Sequence, residues 1–230
     1  MLPRFVVKAD LVLLSGSASV SKLCHAIGST RDSGNHASQC GTRLIVNSSA
    51  EIHMSVVDYP ANWKRVAHTR DGIEYRIRPI RADDLPRDRE FIMGLSQESR
   101  YTRMMYTMRE PSAALLEQFV HVDYHRNMAF VGVVGELEDE HIIGVARYAA
   151  DTNGPDGEFA VAVADGWQAR GVGATLTRLL FDYARTQGFH KLHGDVLVSN
   201  HRMVELVRWL GMKTQRRPDD GTLLEASRAP

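Results

Sequence analysis

The stretch from Glu158 to Gly188, EFAVAVADGWQARGVGATLTRLLFDYARTQG, constrains this chain more than any other. Phe159, Val161 and Val163 alternate with alanines, the period of two that a half-buried strand requires. Asp165-Gly166 marks a turn. Behind it Leu176, Leu179, Leu180 and Tyr183 recur at i, i+3, i+4 and i+7, which lays an apolar stripe along one face of a helix. A glycine-rich turn, Gln168-Ala169-Arg170-Gly171-Val172-Gly173, therefore joins a strand to a helix N-terminus. The first N–H groups of such a helix have no intrahelical acceptor, and the helix dipole adds partial positive charge there. Glycines without Cβ atoms let a phosphate approach the backbone. The stretch reads as a pyrophosphate site.

Several readings of this turn compete. A P-loop needs Lys-Ser or Lys-Thr after its second glycine, and Gly173 is followed by Ala174-Thr175. A dinucleotide fingerprint needs G-x-G-x-x-G or a final alanine, and Leu176 stands at the last position, although Asp195 lies near the distance for a ribose contact. A helix start with tight-turn glycines and no ligand is a further reading.

Charge and composition narrow the classes. Lys+Arg and Asp+Glu are equal at 28 each, so net charge gives no argument for nucleic acid as a partner. With 43% hydrophobic and 24% charged residues the chain has the composition of an ordinary globular protein. No apolar run approaches the roughly 20 residues that span a bilayer, so a membrane partner is not expected. The two cysteines, Cys24 and Cys40, lie near the N-terminus, and the body from Ser55 onward has none. That excludes a disulfide framework or a cysteine zinc site there and makes a cytoplasmic enzyme the default.

Residues 1–54 are serine-rich with only short periodic runs. Lys8 and Asp10 interrupt the apolar stretch of a would-be signal peptide. The segment reads as a poorly ordered extension, with Met54 a candidate natural start, because recognisable pattern begins just after it. Residues 55–71 form a lead-in that Trp63 anchors. The main domain is expected over 72–226. Its first strand is Glu74 to Ile80; a helix follows Arg81-Ala82-Asp83-Asp84 with an N-cap candidate there and Pro86 in its first turn. Ser96 to Met105 is a short helix or loop, and a helix starts at Pro111-Ser112. Strands follow at Met128 to Val134 and Ile142 to Ala149, then the opening stretch and a strand from His190 to Val198. Asn200 caps a helix whose apolar face is Met203, Leu206, Val207 and Leu210. Met212 to Gln215 and Leu223 to Glu225 pair as a last hairpin. His121 and His125, at i, i+4, are half a metal site at most, with no third ligand evident; no metal is expected.

Gln168-x-x-Gly171-x-Gly173 resembles the Q/R-x-x-G-x-G/A pyrophosphate motif of the GNAT family of N-acetyltransferases. The order of elements agrees with that family over roughly Asp71 to Glu225, including VLVSN at 196–200 and the helix end Trp209-Leu210-Gly211-Met212. RDGIEYRIRPIRADD (70–84), LSQESRYTRMM (95–105) and VDYHRNMAFVGV (122–133) resemble the acetyltransferase domain of bacterial protein-lysine acetyltransferases. Those proteins often carry a second regulatory domain, for which this chain has no room. The resemblance implies an α/β (α+β) GNAT fold: a central, mostly antiparallel twisted sheet of six to seven strands, splayed between strands 4 and 5 and flanked by helices.

It also implies acetyl-CoA as cosubstrate and a primary amine, foremost a protein lysine, as acceptor. Glu158 in Glu158-Phe159-Ala160 corresponds to the family's catalytic glutamate and is the expected general base, its pKa raised toward the working range by partial burial. The backbone of Val161, Ala162 and Val163 is expected to bind the pantetheine arm. Arg170, Gly171, Val172, Gly173 and Ala174 are expected to donate to the pyrophosphate, with Gln168 and Ala169 ordering the turn and Asn200 touching the cofactor arm or serving only as a cap. Where many relatives place a tyrosine acid, seven residues after that asparagine, this chain has Val207. A small-molecule amine acceptor and a CoA-binding sensor without turnover remain alternatives. The Glu98-Ser99-Arg100-Tyr101 run lines the acceptor side or forms surface charge pairs.

Overall fold

A computed structural model of the chain describes residues 58–104, 111–136 and 139–230. The expectations for segment 1–54, Met54 included, concern residues outside these. Among the described residues the strands are β1 (Arg65–His68), β2 (Glu74–Pro79), β3 (Asn127–Val134), β4 (His141–Ala150), β5 (Asp156–Val163), β6 (Lys191–Leu197), β7 (Lys213–Arg216) and β8 (Leu223–Arg228). They form one eight-stranded sheet in the order β1-β2-β3-β4-β5-β6-β8-β7. Neighbours run antiparallel except β5 and β6, which are parallel. The helices are α1 (Leu85–Gly94), α2 (Gln97–Met104), α3 (Ala113–Val120), α4 (Val172–Thr186) and α5 (His201–Trp209). None of the helices among the described residues is long and apolar enough to cross a membrane.

The sheet has one strand more than expected, because the lead-in supplies β1. Trp63 just before it packs edge-on against Tyr183 of α4 with ring centroids 5.0 Å apart, the anchoring its size favours. The closing hairpin forms as β7 and β8, but β8 inserts between β6 and β7. The α/β architecture with its parallel junction is the expected one, and that junction, β5 to β6, falls between the fourth and fifth of the strands read from sequence.

Each face of the sheet buries its own apolar cluster. Phe130, Tyr148 and Phe159 meet Leu176, Leu180 and Phe181 of α4 and Val204 and Val207 of α5 on one side. Val131, Val133 and Val145 meet Phe91 and Ile92 of α1 and Leu116 and Phe119 of α3 on the other. A bulge in β4 sets which residue goes where. Gly132 pairs with Gly144 but Val133 pairs with Ile142, leaving Ile143 as the extra residue. Ile142 and Ile143 accordingly pack into opposite clusters. Helix α4 lies close on the sheet at Gly144, where a Cβ would stand 3.0 Å from Leu176 Cδ1.

Candidate active site

β5 keeps full register with β4, from Ala150↔Gly157 to Gly144↔Val163. With β6 it pairs only at Asp156↔Lys191, Gly157↔Leu192 and Glu158↔His193. Beyond Glu158 the two strands part. Backbone groups alternate sides along a strand. The Ala164 N–H bonds Ile143 on the β4 side at 2.9 Å. Phe159, Val161 and Val163 therefore turn their backbone groups toward the gap, while Ala162, one residue out of phase, turns its own toward β4. At the fork the strands approach closely: a Cβ on Gly194 would lie 2.7 Å from the Phe159 carbonyl oxygen.

The turn after β5 presents the expected donors. Gly171 is the N-cap of α4, and the first bond of that helix runs from the Thr175 N–H to the Gly171 carbonyl at 3.0 Å. The N–H groups of Val172, Gly173 and Ala174 precede it and have no acceptor within the helix. Ala169 (φ 60°) and Gly171 (φ 96°) both hold left-handed backbone. At Gly173 an added Cβ would press on Val163 Cγ2 at 3.3 Å, so the glycine lets the helix start against β5. Arg170 folds its guanidinium to 3.3 Å from Asp71 and accepts the Arg70 N–H on its carbonyl. Gly171→Ala is expected to raise the acetyl-CoA Kd about tenfold. Space is not the obstacle, since the nearest atom to an added Cβ is 3.7 Å away. A side chain in left-handed backbone costs ~1–2 kcal/mol. Titration calorimetry measures it, and an unchanged Kd would show that binding does not use this turn.

Gln168 is the hub of the turn. Its Nε2 donates to the Val163 carbonyl at 3.1 Å and to Ser99 Oγ at 3.1 Å, and its Oε1 accepts from Arg202 of α5 at 2.5 Å. Asp165 beside it accepts from Ser99 Oγ at 2.6 Å, from Ser96 Oγ at 3.0 Å and from the Ser96 N–H at 2.8 Å. Desolvation pushes the Asp165 carboxyl upward, but these donors hold it below the ordinary value. Nothing beyond the turn signal in Asp165-Gly166 marked this role in the sequence. Ser99 thus faces the phosphate turn rather than a surface charge partner. Asn200 Oδ1 accepts from the Met203 N–H at 3.1 Å, a helix cap. Val207 is fully buried in the apolar cluster and has no proton to give.

Glu158 is half-buried at the fork. It shares strand parity with Ala162 and Ala164, so its side chain lies on the α1–α3 face. That face carries charges that sequence reasoning missed. Arg147 of β4 lies over the Phe119 ring, 4.1 Å from its centroid, and its Nη2 is 3.8 Å from Asp88 of α1. Burial raises the Asp88 carboxyl against the Arg147 charge, and burial lowers Arg147. Arg103, one residue from the end of α2, completes the group. Desolvation and then the Arg147 charge bring its pKa down to about 10, opposed by Asp88 and Glu158. It remains a cation at neutral pH. The histidines are elsewhere: α3 ends at Val120, His121 meets Glu117, and His125 Nδ1 lies 2.8 Å from Gln187. No group of three or more His, Cys, Asp or Glu among the described residues can hold a metal.

A sheet that forks at a carboxylate, beside a donor-rich helix start, is the architecture of a CoA-dependent acyltransferase. Comparison with known proteins makes the class specific. Residues 93–212 match the model of the acetyltransferase (GNAT) family. Acetyltransferase PA5475 of Pseudomonas aeruginosa is 40% identical over 152 residues, 66% of this chain and 82% of that protein. Acetyltransferase Pat of Mycolicibacterium smegmatis is 31% identical over 143 residues, 62% of this chain but only 42% of that longer protein. The crystal structure of the GNAT domain of S. lividans PAT superposes with a TM-score of 0.69 at 26% identity, covering 75% of this chain and all of that one. The chain belongs to the GNAT acetyltransferase family and is an acetyl-CoA-dependent N-acetyltransferase.

Proposed function

We propose that this protein acetylates a protein lysine by direct transfer from acetyl-CoA, with Glu158 as general base, in the cytoplasm. The observation that carries the reading is the position of Glu158: a half-buried carboxylate at the residue where β5 and β6 separate. A lysine amine, with a pKa near 10.4 in solution, must lose a proton before its nitrogen attacks the thioester carbonyl. Glu158 accepts that proton. The N–H groups of Val172, Gly173 and Ala174 hold the pyrophosphate, and the gap-facing backbone of Val161 and Val163 holds the pantetheine arm. Neutral Val207 leaves water or another side chain to protonate the departing sulfur. Residues 72–226 form the catalytic domain in this reading, and β8 continues the sheet to Arg228. The preference for a protein acceptor rests on the resemblance of segments 70–84, 95–105 and 122–133 to protein-lysine acetyltransferases.

Thiol release from acetyl-CoA over a panel of lysine peptides, folded proteins and small amines tests it, with mass spectrometry locating the acetyl group. Turnover on lysine side chains at least tenfold above that on any small amine is the expected result. Turnover confined to small amines would transfer the reading to that acceptor class, and tight CoA binding without thiol release on any acceptor would remove turnover altogether.

A further inference from the structure

We propose that Arg103 is a positioning residue for Glu158, carried to it by a helix that is latched to the phosphate turn. The inference rests on the reading of Glu158 as general base. Helix α2 packs along β5. Its first turn is fixed at the cofactor end: Ser96 and Ser99 donate to Asp165, and Gln168 donates to Ser99. Ser99 and Arg103 are four residues apart and share a helix face. The latch at Asp165 and the base at Glu158 are seven residues apart on β5, about 23 Å of strand at ~3.3 Å per residue. From Ser96 to Arg103 the helix covers only about 10 Å at ~1.5 Å per residue. A long side chain must close the remaining span, and arginine reaches furthest among cations. The charges of Arg103 and Glu158 do act on each other.

The other charges around Glu158 define what Arg103 contributes. Arg147 of β4 has Asp88 of α1 as its counter-charge at 3.8 Å. On β6, His193 is in register with Glu158, and its Nε2 lies 3.0 Å from Asp151. Arg147 and His193 each have a carboxylate of their own; the cation aligned along β5 toward Glu158 is Arg103. A guanidinium there favours the ionised carboxylate, fixes its orientation through a planar fork, and disfavours a second cation, so that the acceptor amine enters neutral. The same helix joins the phosphate turn to the base, so an ordered turn and an ordered base come from one element.

The test is the pH profile of kcat/KM for the wild type, R103Q, R103K, E158Q and R103Q/E158Q, with the acetyl-CoA Kd of each as a check on folding. R103Q is expected to lower kcat/KM at neutral pH about 10- to 100-fold through misplacement of the base. Its acid limb is expected to move up by about one pH unit, because Glu158 loses a cation that favoured its ionised form. R103K keeps the charge: its limb stays with the wild type while kcat falls severalfold through loss of the fork. R103Q is expected to have little further effect once Glu158 is glutamine. An acid limb that survives in E158Q overturns the base reading itself. A limb that vanishes in E158Q but stays in place in R103Q overturns the role of Arg103 alone, as does wild-type kcat in both Arg103 variants.

Discussion

Glu158→Gln is expected to lower kcat about 1000-fold while changing the acetyl-CoA Kd by no more than about twofold, since general base catalysis contributes roughly 10²–10⁴-fold. Glutamine keeps the shape and the strand, so the fork between β5 and β6 and the donors of Val172, Gly173 and Ala174 are untouched. What is lost is an acceptor for the proton of an incoming ammonium. The residual reaction then depends on amine that has already ionised in solution, and that fraction grows tenfold per pH unit below a pKa near 10.4. The variant should therefore lose the acid limb of its kcat/KM profile and show a rate that climbs with unit slope toward alkaline pH, recovering part of the deficit there. Steady-state thiol release from pH 6 to 10, with calorimetric titration of acetyl-CoA, measures both halves. Loss of cofactor affinity parallel to the loss of rate would mean that Glu158 holds the sheet open rather than moves a proton.

What was legible in the sequence was local. Strand β5, the turn at Gln168 to Gly173 and helix α4 announce themselves because periods of two and 3.6 and a pair of glycines all fall within thirty-one consecutive residues. Asn200 reads as a cap, and the structure uses it as one. The parts that escaped are those made by distant pairing. Arg103 and Glu158 are joined only because α2 packs across β5, and no spacing rule connects them. The placement of β8 between β6 and β7 is a choice of sheet edge that a hairpin pattern does not encode. The bulge at Ile143 is hidden because Ile142 and Ile143 are both apolar and suit either face. Asp84 shows a different limit. Its residue type and place before a helix read as a cap, and the alternation of β2 puts Arg76 and Arg78 on a polar face. Arg78 is instead buried, and Asp84 is its partner.

That partnership sets the largest expected effect on stability. Asp84 is fully buried and accepts Arg78 Nη1 and Nη2 on its two oxygens at 2.6 and 2.7 Å; Arg78 Nη2 also donates to Glu140 at 2.5 Å. Asp84 further accepts the Arg81 N–H at 2.8 Å, which fixes the chain between β2 and α1. Asp84→Ala is expected to cost about 3–5 kcal/mol, because it strands a buried guanidinium. Replacing both partners, Arg78→Met with Asp84→Leu, should cost less than Asp84→Ala alone, since the penalty lies in the unpaired charge rather than in a missing attraction. The pair also makes a pH signature. Desolvation pushes the Asp84 and Glu140 carboxyls up, but hydrogen bonds and charge from Arg78 outweigh it and hold both below their ordinary values. A depressed folded-state pKa contributes stability that is fully present above the unfolded value of about 4 and is lost as pH falls through the lower folded one. Urea unfolding of the wild type should accordingly show stability dropping below about pH 4, and Asp84→Ala should flatten that drop while lowering the neutral-pH plateau. A loss under 1 kcal/mol at neutral pH, with the acid slope unchanged, would mean that water reaches Arg78 and solvates it once Asp84 is gone.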